Sequence, residues 1–72
     1  MNSHSWKMVV GSVLSYQGFT VMLLEISDDK EYVTKMEALG TDFFSQEQIF
    51  KLAALGFEKG LDGKYIYEAK QN

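Results

Sequence analysis

Glu31-Tyr32-Val33-Thr34-Lys35-Met36-Glu37-Ala38-Leu39 is the stretch on which the fold turns, because it reads in two ways. As a strand, it places Tyr32, Thr34 and Met36 on one face, and its Tyr-Val-Thr triplet has high β-propensity. As a helix, it takes Asp28 as its cap, aligns Tyr32, Val33, Met36 and Leu39 on one stripe, and stops at Gly40. The strand yields an α+β domain; the helix yields a helix-turn-helix-like pair followed by a hairpin wing, a DNA-binding arrangement. The residues just upstream favour the strand. Ser27-Asp28-Asp29-Lys30 is a turn whose polar side chains can each bond to the local backbone, as the bend of a hairpin requires.

Further upstream, Phe19 to Ile26 is apolar on both faces, since Phe19, Val21 and Leu23 alternate with Met22, Leu24 and Ile26. Such a strand is central to its sheet or lies under a partner. Glu25 is its single charge and has to reach solvent, a lysine or a backbone donor. Tyr16-Gln17-Gly18 is a short glycine-containing connection suited to a hairpin, and Trp6 to Ser15 alternates well enough to predict a first strand.

Downstream, Phe44 to Phe57 writes both ends of a helix. Ser45 is a preferred N-cap with Gln48 three residues on, the spacing of a capping box, and Phe44 and Ile49 hold the positions of a hydrophobic staple. Gly56 can take the left-handed conformation that ends a helix, bringing Phe57 back against Leu52. The predicted helix spans about 46–55, with Ile49, Leu52 and Ala53 toward the core, Glu47 and Lys51 toward water and Phe50 on the flank. Gly60-Leu61-Asp62-Gly63 is a turn, and Lys64 to Glu68 a strand with Tyr65 and Tyr67 on one face and Ile66 on the other. Phe57 to Lys59 pairs with it as a short hairpin.

The expected fold is therefore α+β: a small antiparallel β-sheet, made of a three-stranded meander plus a C-terminal strand or hairpin, packed by one α-helix. At 72 residues the chain is one domain near the lower size limit for a self-sufficient core, with residues 1–5 and 70–72 expected to be loose. It has no cysteine and one histidine, His4, which argues against disulfides and against thiolate or imidazole metal sites. No signal-peptide pattern and no long apolar run occur, so the expectation is a cytoplasmic chain with no membrane partner. The net charge is −3 and every basic residue is lysine, which disfavours nucleic acid: no arginine fork is present for phosphate or guanine.

Catalytic candidates are few. His4 lies between Ser3 and Ser5 near a terminus, where a loose tail is the simpler reading, and adjacent residues do not make a triad. Asp28-Asp29-Lys30-Glu31 lacks the alternating ligands, central glycine and distal glutamate of a calcium loop, and Gly60-Leu61-Asp62-Gly63-Lys64 has the wrong spacing for a phosphate loop. Neither an enzyme nor a cofactor is expected.

The apolar surplus carries more weight. Hydrophobic residues make up 46% of the chain, including five Phe, four Tyr, one Trp and four Met, and one short helix cannot cover both faces of the Phe19 to Ile26 strand. Either the flanking strands fold over that surface or another chain covers it. The reading is a protein-binding module, a small acidic accessory or inhibitor protein of the style found in phage or mobile elements, which acts by occupying a partner's surface. A basic nucleic-acid-handling protein is one such partner. The candidate partner-binding residues are Trp6, Met22, Leu24, Ile26, Tyr65 and Tyr67, with Asp28, Asp29 and Glu31 as the steering charges. The alternatives are a single-stranded nucleic-acid or DNA-binding regulator, using Trp6, Tyr65 and Tyr67 as a stacking platform or the helix-turn-helix-like pair, and a structural homodimer built on the apolar strand.

Overall fold

The computed structural model describes residues 9–69; Trp6 and the two expected loose tails lie outside them. The disputed stretch is a strand. Five strands, β1 (Val13–Tyr16), β2 (Phe19–Ile26), β3 (Val33–Ala38), β4 (Phe57–Lys59) and β5 (Tyr65–Glu68), form one antiparallel sheet in the order β1-β2-β3-β5-β4. A single helix, α1 (Gln46–Leu55), connects β3 to β4 after a 3-10 turn at Thr41–Phe43. The fold is the α+β meander-plus-hairpin arrangement that the sequence predicts.

Each connection has a local cause. Gln17 and Gly18 form the two-residue loop between paired Tyr16 and Phe19, with φ of 51° and 85°, the two positive values that a type I′ hairpin turn demands. The β2–β3 loop closes through Ser27 and Tyr32: the Ser27 N–H donates to the Tyr32 carbonyl at 2.9 Å, and the Tyr32 N–H donates to the Ser27 hydroxyl at 3.1 Å. Tyr32 therefore belongs to the turn and is exposed, so the strand is shorter than the stretch that suggested it. In α1 the capping box is complete. The Gln48 N–H donates to the Ser45 hydroxyl at 3.3 Å, and the Ser45 N–H to Gln48 Oε1 at 2.8 Å. Gly56, at φ 108°, ends the helix with its N–H on the Ala53 carbonyl.

The first strand differs from expectation. Val9 to Ser12 form a turn, closed by the Ser12 N–H on the Val9 carbonyl at 3.0 Å, and β1 begins only at Val13. The reason is Gly11, which sits at φ 93°. Its N–H donates to the Leu23 carbonyl at 2.8 Å while the Leu23 N–H donates to the Ser12 carbonyl at 2.9 Å, so two residues oppose one in a glycine bulge. The apparent alternation of Trp6 to Ser15 runs across that bulge, where the pleat is broken.

The core is one cluster on the helix side of the sheet: Phe19, Val21 and Leu23 from β2, Met36 and Ala38 from β3, Leu52 from α1 and Phe57 from β4. Leu52 is the only fully buried helix residue, flanked by half-buried Ile49 and Leu55; Ala53, expected inside, is exposed. Phe44 stacks at 5.5 Å between ring centroids on Phe19, and Phe57 at 5.8 Å on Tyr67.

Candidate functional site: the uncovered sheet face

Strand register sorts every side chain to one face or the other, because directly opposed residues in an antiparallel pair point the same way. The pairs Leu14–Val21, Val21–Ala38, Leu23–Met36, Met36–Tyr67 and Phe57–Tyr67 define the face that α1 covers. The pairs Val13–Met22, Met22–Glu37, Glu37–Ile66 and Glu58–Ile66 define the other. One row, Val13–Met22–Glu37–Ile66–Glu58, thus crosses all five strands on the side away from the helix. Beside it Lys35 stands between Glu25 and Glu68. No described element lies over this face. β1 and β5 extend the sheet sideways instead of folding back across β2.

The charge of this face is decisive. Within the paired strands it carries four carboxylates, Glu25, Glu37, Glu58 and Glu68, against Lys35, and Lys64, just ahead of β5 in the alternation of Ile66, adds a second cation near Glu37. These strand residues are net acidic, as is the chain as a whole at −3. Met22 and Ile66, both half-buried, stand on either side of Glu37 on the same face. At its end is an open hollow of about 440 Å³ lined by Glu25, Ile26, Ser27, Asp28, Thr34, Glu68 and Ala69.

The residues singled out from sequence do not all gather here. Met22 lies on the face, between Val13 and Glu37. Leu24 falls at the irregularity between Leu23 and Glu25, where β2 gains a residue relative to β3. That slip breaks the alternation, and Ile26 packs with Val33 against the core instead of sharing the face of Met22. Tyr65 and Tyr67 are on the helix side, half-buried against the core cluster, and it is Ile66 between them that reaches the open face. The tyrosine rings are therefore packing elements and do not form a platform with Met22. Trp6 is among the residues outside the described range.

The acidic turn divides as well. Asp28 lines the hollow with Glu25 and Glu68. Asp29 is spent on the turn itself, accepting from the Ser27 hydroxyl and from the Glu31 N–H at 3.1 Å. The Ser27 hydroxyl, ahead of the Glu31 N–H, holds the Asp29 carboxyl below the usual carboxylate range. Glu31 is exposed, and it is not among the residues that line the hollow. Glu37, Glu58 and Glu68 were not singled out, because they are scattered in sequence and meet only through register.

Among the described residues no group of three or more His, Cys, Asp or Glu is placed to hold a metal ion, and no helix is long and apolar enough to cross a membrane. Comparison with family models, with curated proteins and with solved structures finds no match to the chain.

Proposed function

We propose that the protein is a binding module, an accessory or inhibitor protein that lays its uncovered sheet face on a basic protein surface and acts by occupying it. The observation that carries the reading is the set of glutamates that strand register gathers on the one sheet face no described element covers, in a chain of net charge −3. A five-stranded surface on which apolar Met22 and Ile66 flank Glu37, with Glu25, Glu58 and Glu68 around them, offers a partner both apolar contact and charge. Carboxylates on a paired sheet steer a cationic partner in and fix its orientation, while the Met22 and Ile66 side chains supply apolar contact. A lysine- or arginine-rich surface that handles phosphates elsewhere is complementary to such a face, which makes competition with nucleic acid a natural mode of action.

The test is a titration of the 15N-labelled protein with a lysine- and arginine-rich peptide, repeated with a single-stranded oligonucleotide. The peptide is expected to shift the amides of Met22, Glu37, Ile66 and Glu58, with affinity falling steeply as salt rises and about tenfold lower in Glu37→Lys. Shifts confined to the helix side, or peptide binding indifferent to salt, would defeat the proposal. Preferential binding of the oligonucleotide would replace it with the nucleic-acid reading.

A further inference from the structure

The two edges of the sheet are built differently. β4, at one edge, is three residues long and carries Glu58 and Lys59, a short charged form that resists pairing with another chain. β1, at the other edge, is also short and begins at the Gly11 bulge, but it carries no charge. From Val9 to Leu24 the sequence contains no charged residue at all. Four of the eight exposed large hydrophobics among the described residues lie together there: Val9 at 54%, Val10 at 59%, Val13 at 57% and Leu14 at 41%.

The hydrogen-bonding groups on that edge can be assigned. In a hairpin with a two-residue loop the residues flanking the loop, here Tyr16 and Phe19, exchange both backbone bonds, and bonding then alternates along the pair. Leu14 and Tyr16 accordingly turn their N–H and C=O groups toward β2. Val13 and Ser15 turn theirs outward, and among the described residues nothing pairs with them. The Ser12 N–H is already taken by Val9, so the available edge runs from Val13 to Tyr16.

We propose that this edge pairs with β1 of a second copy, antiparallel about a two-fold axis through Leu14. In that register Val13 exchanges its outward bonds with Ser15 of the second copy, and Leu14 meets Leu14 of the second copy on the helix side. Charge selects the occupant. Copies of a chain with net charge −3 repel one another through the acidic sheet face, whereas the β1 edge is neutral and meets its own image with no charge opposed. An isologous contact needs nothing but self-complementarity, which an antiparallel strand edge has by construction. The product is one ten-stranded sheet with both helices on one side and two acidic faces continuous on the other. A basic partner with repeated cationic surface then meets two linked sites, with the gain in avidity that linkage brings.

Sedimentation equilibrium of the full chain from micromolar to millimolar concentration tests the pairing. The expected mass at the upper end is twice the 8.2 kDa of one chain, unchanged or more fully reached as salt is added, because salt screens the two acidic faces from each other. Leu14→Lys places two ammonium groups opposite each other and is expected to leave a monomer with the circular dichroism spectrum of the parent. Val13→Lys, which sets an ammonium group opposite Ser15 of the second copy on the other face, is expected to weaken the pairing too, should Leu14→Lys misfold. Leu61→Lys, at an exposed apolar residue far from the edge, is expected to stay dimeric. A monomer throughout the range overturns the proposal, as does a dimer that survives both β1 substitutions or is lost with Leu61→Lys. Peptide binding by Leu14→Lys separates this outcome from the proposed function. The acidic face is intact in that variant, so salt-sensitive binding persists even where the dimer does not.

Discussion

At the scale of the residue, the glycines are not equivalent. Gly56 and Gly63 both hold positive φ, at 108° and 85°, but a Cβ at Gly63 meets open space while one at Gly56 lies 3.1 Å from two carbons of the Tyr67 ring. Gly63→Ala then adds only backbone strain, about 1 kcal/mol, whereas Gly56→Ala adds that strain and a push on a ring packed against Phe57. The expected order in urea denaturation is Gly56→Ala well below Gly63→Ala, by about 1 kcal/mol or more; equal costs would show that the helix C-terminus and Tyr67 are not in contact. Asp29 makes a prediction in pH. Its carboxyl is lowered in the folded chain, so the turn is stabilised above the unfolded carboxylate range and loses that support as pH falls through the lower, folded value. Asp29→Asn is expected to weaken the parent at neutral pH and to flatten its acid unfolding limb, read by circular dichroism; an unchanged limb would remove Asp29 from the turn's electrostatics.

At the scale of the element, α1 holds the sheet through very few side chains. Leu52 is fully buried, and Phe50, two positions earlier and larger, is 69% exposed. Leu52→Ala is expected to cost about 2–5 kcal/mol, a large share of the total stability of so small a domain, and to collapse the thermal transition. Phe50→Ala is expected to stay within about 0.5 kcal/mol. The reverse ranking would mean that the helix is rotated about its axis. The helix was legible in sequence to the residue because its caps are local: Ser45, Gln48 and Gly56 act within a turn of their own backbone. β3 was legible through the turn before it. β1 was not, because Gly11 hides a bulge inside a pattern that still alternates, and neither was the inward turn of Ile26, which follows from a register slip against β3. Alternation reports a face only while the pleat is unbroken.

At the scale of the whole molecule, the part least legible in sequence was the acidic face. Asp28, Asp29 and Glu31 drew notice by being adjacent, yet Asp29 is tied into its own turn and only Asp28 joins the hollow. Glu25, Glu37, Glu58 and Glu68 belong to four different strands and become neighbours only once those strands are in register, information that no local window holds. The strand order has a further consequence, for the route by which the chain reaches this fold. The β1–β2, β2–β3 and β4–β5 pairs each join segments adjacent in the chain, so each can form as a local hairpin. The β3–β5 pair alone brings distant segments together, enclosing the 3-10 turn, α1 and β4 in one large loop. Most of the loop-closure entropy of folding falls on that single docking of two halves, and the Met36–Tyr67 pair lies on the seam where they meet.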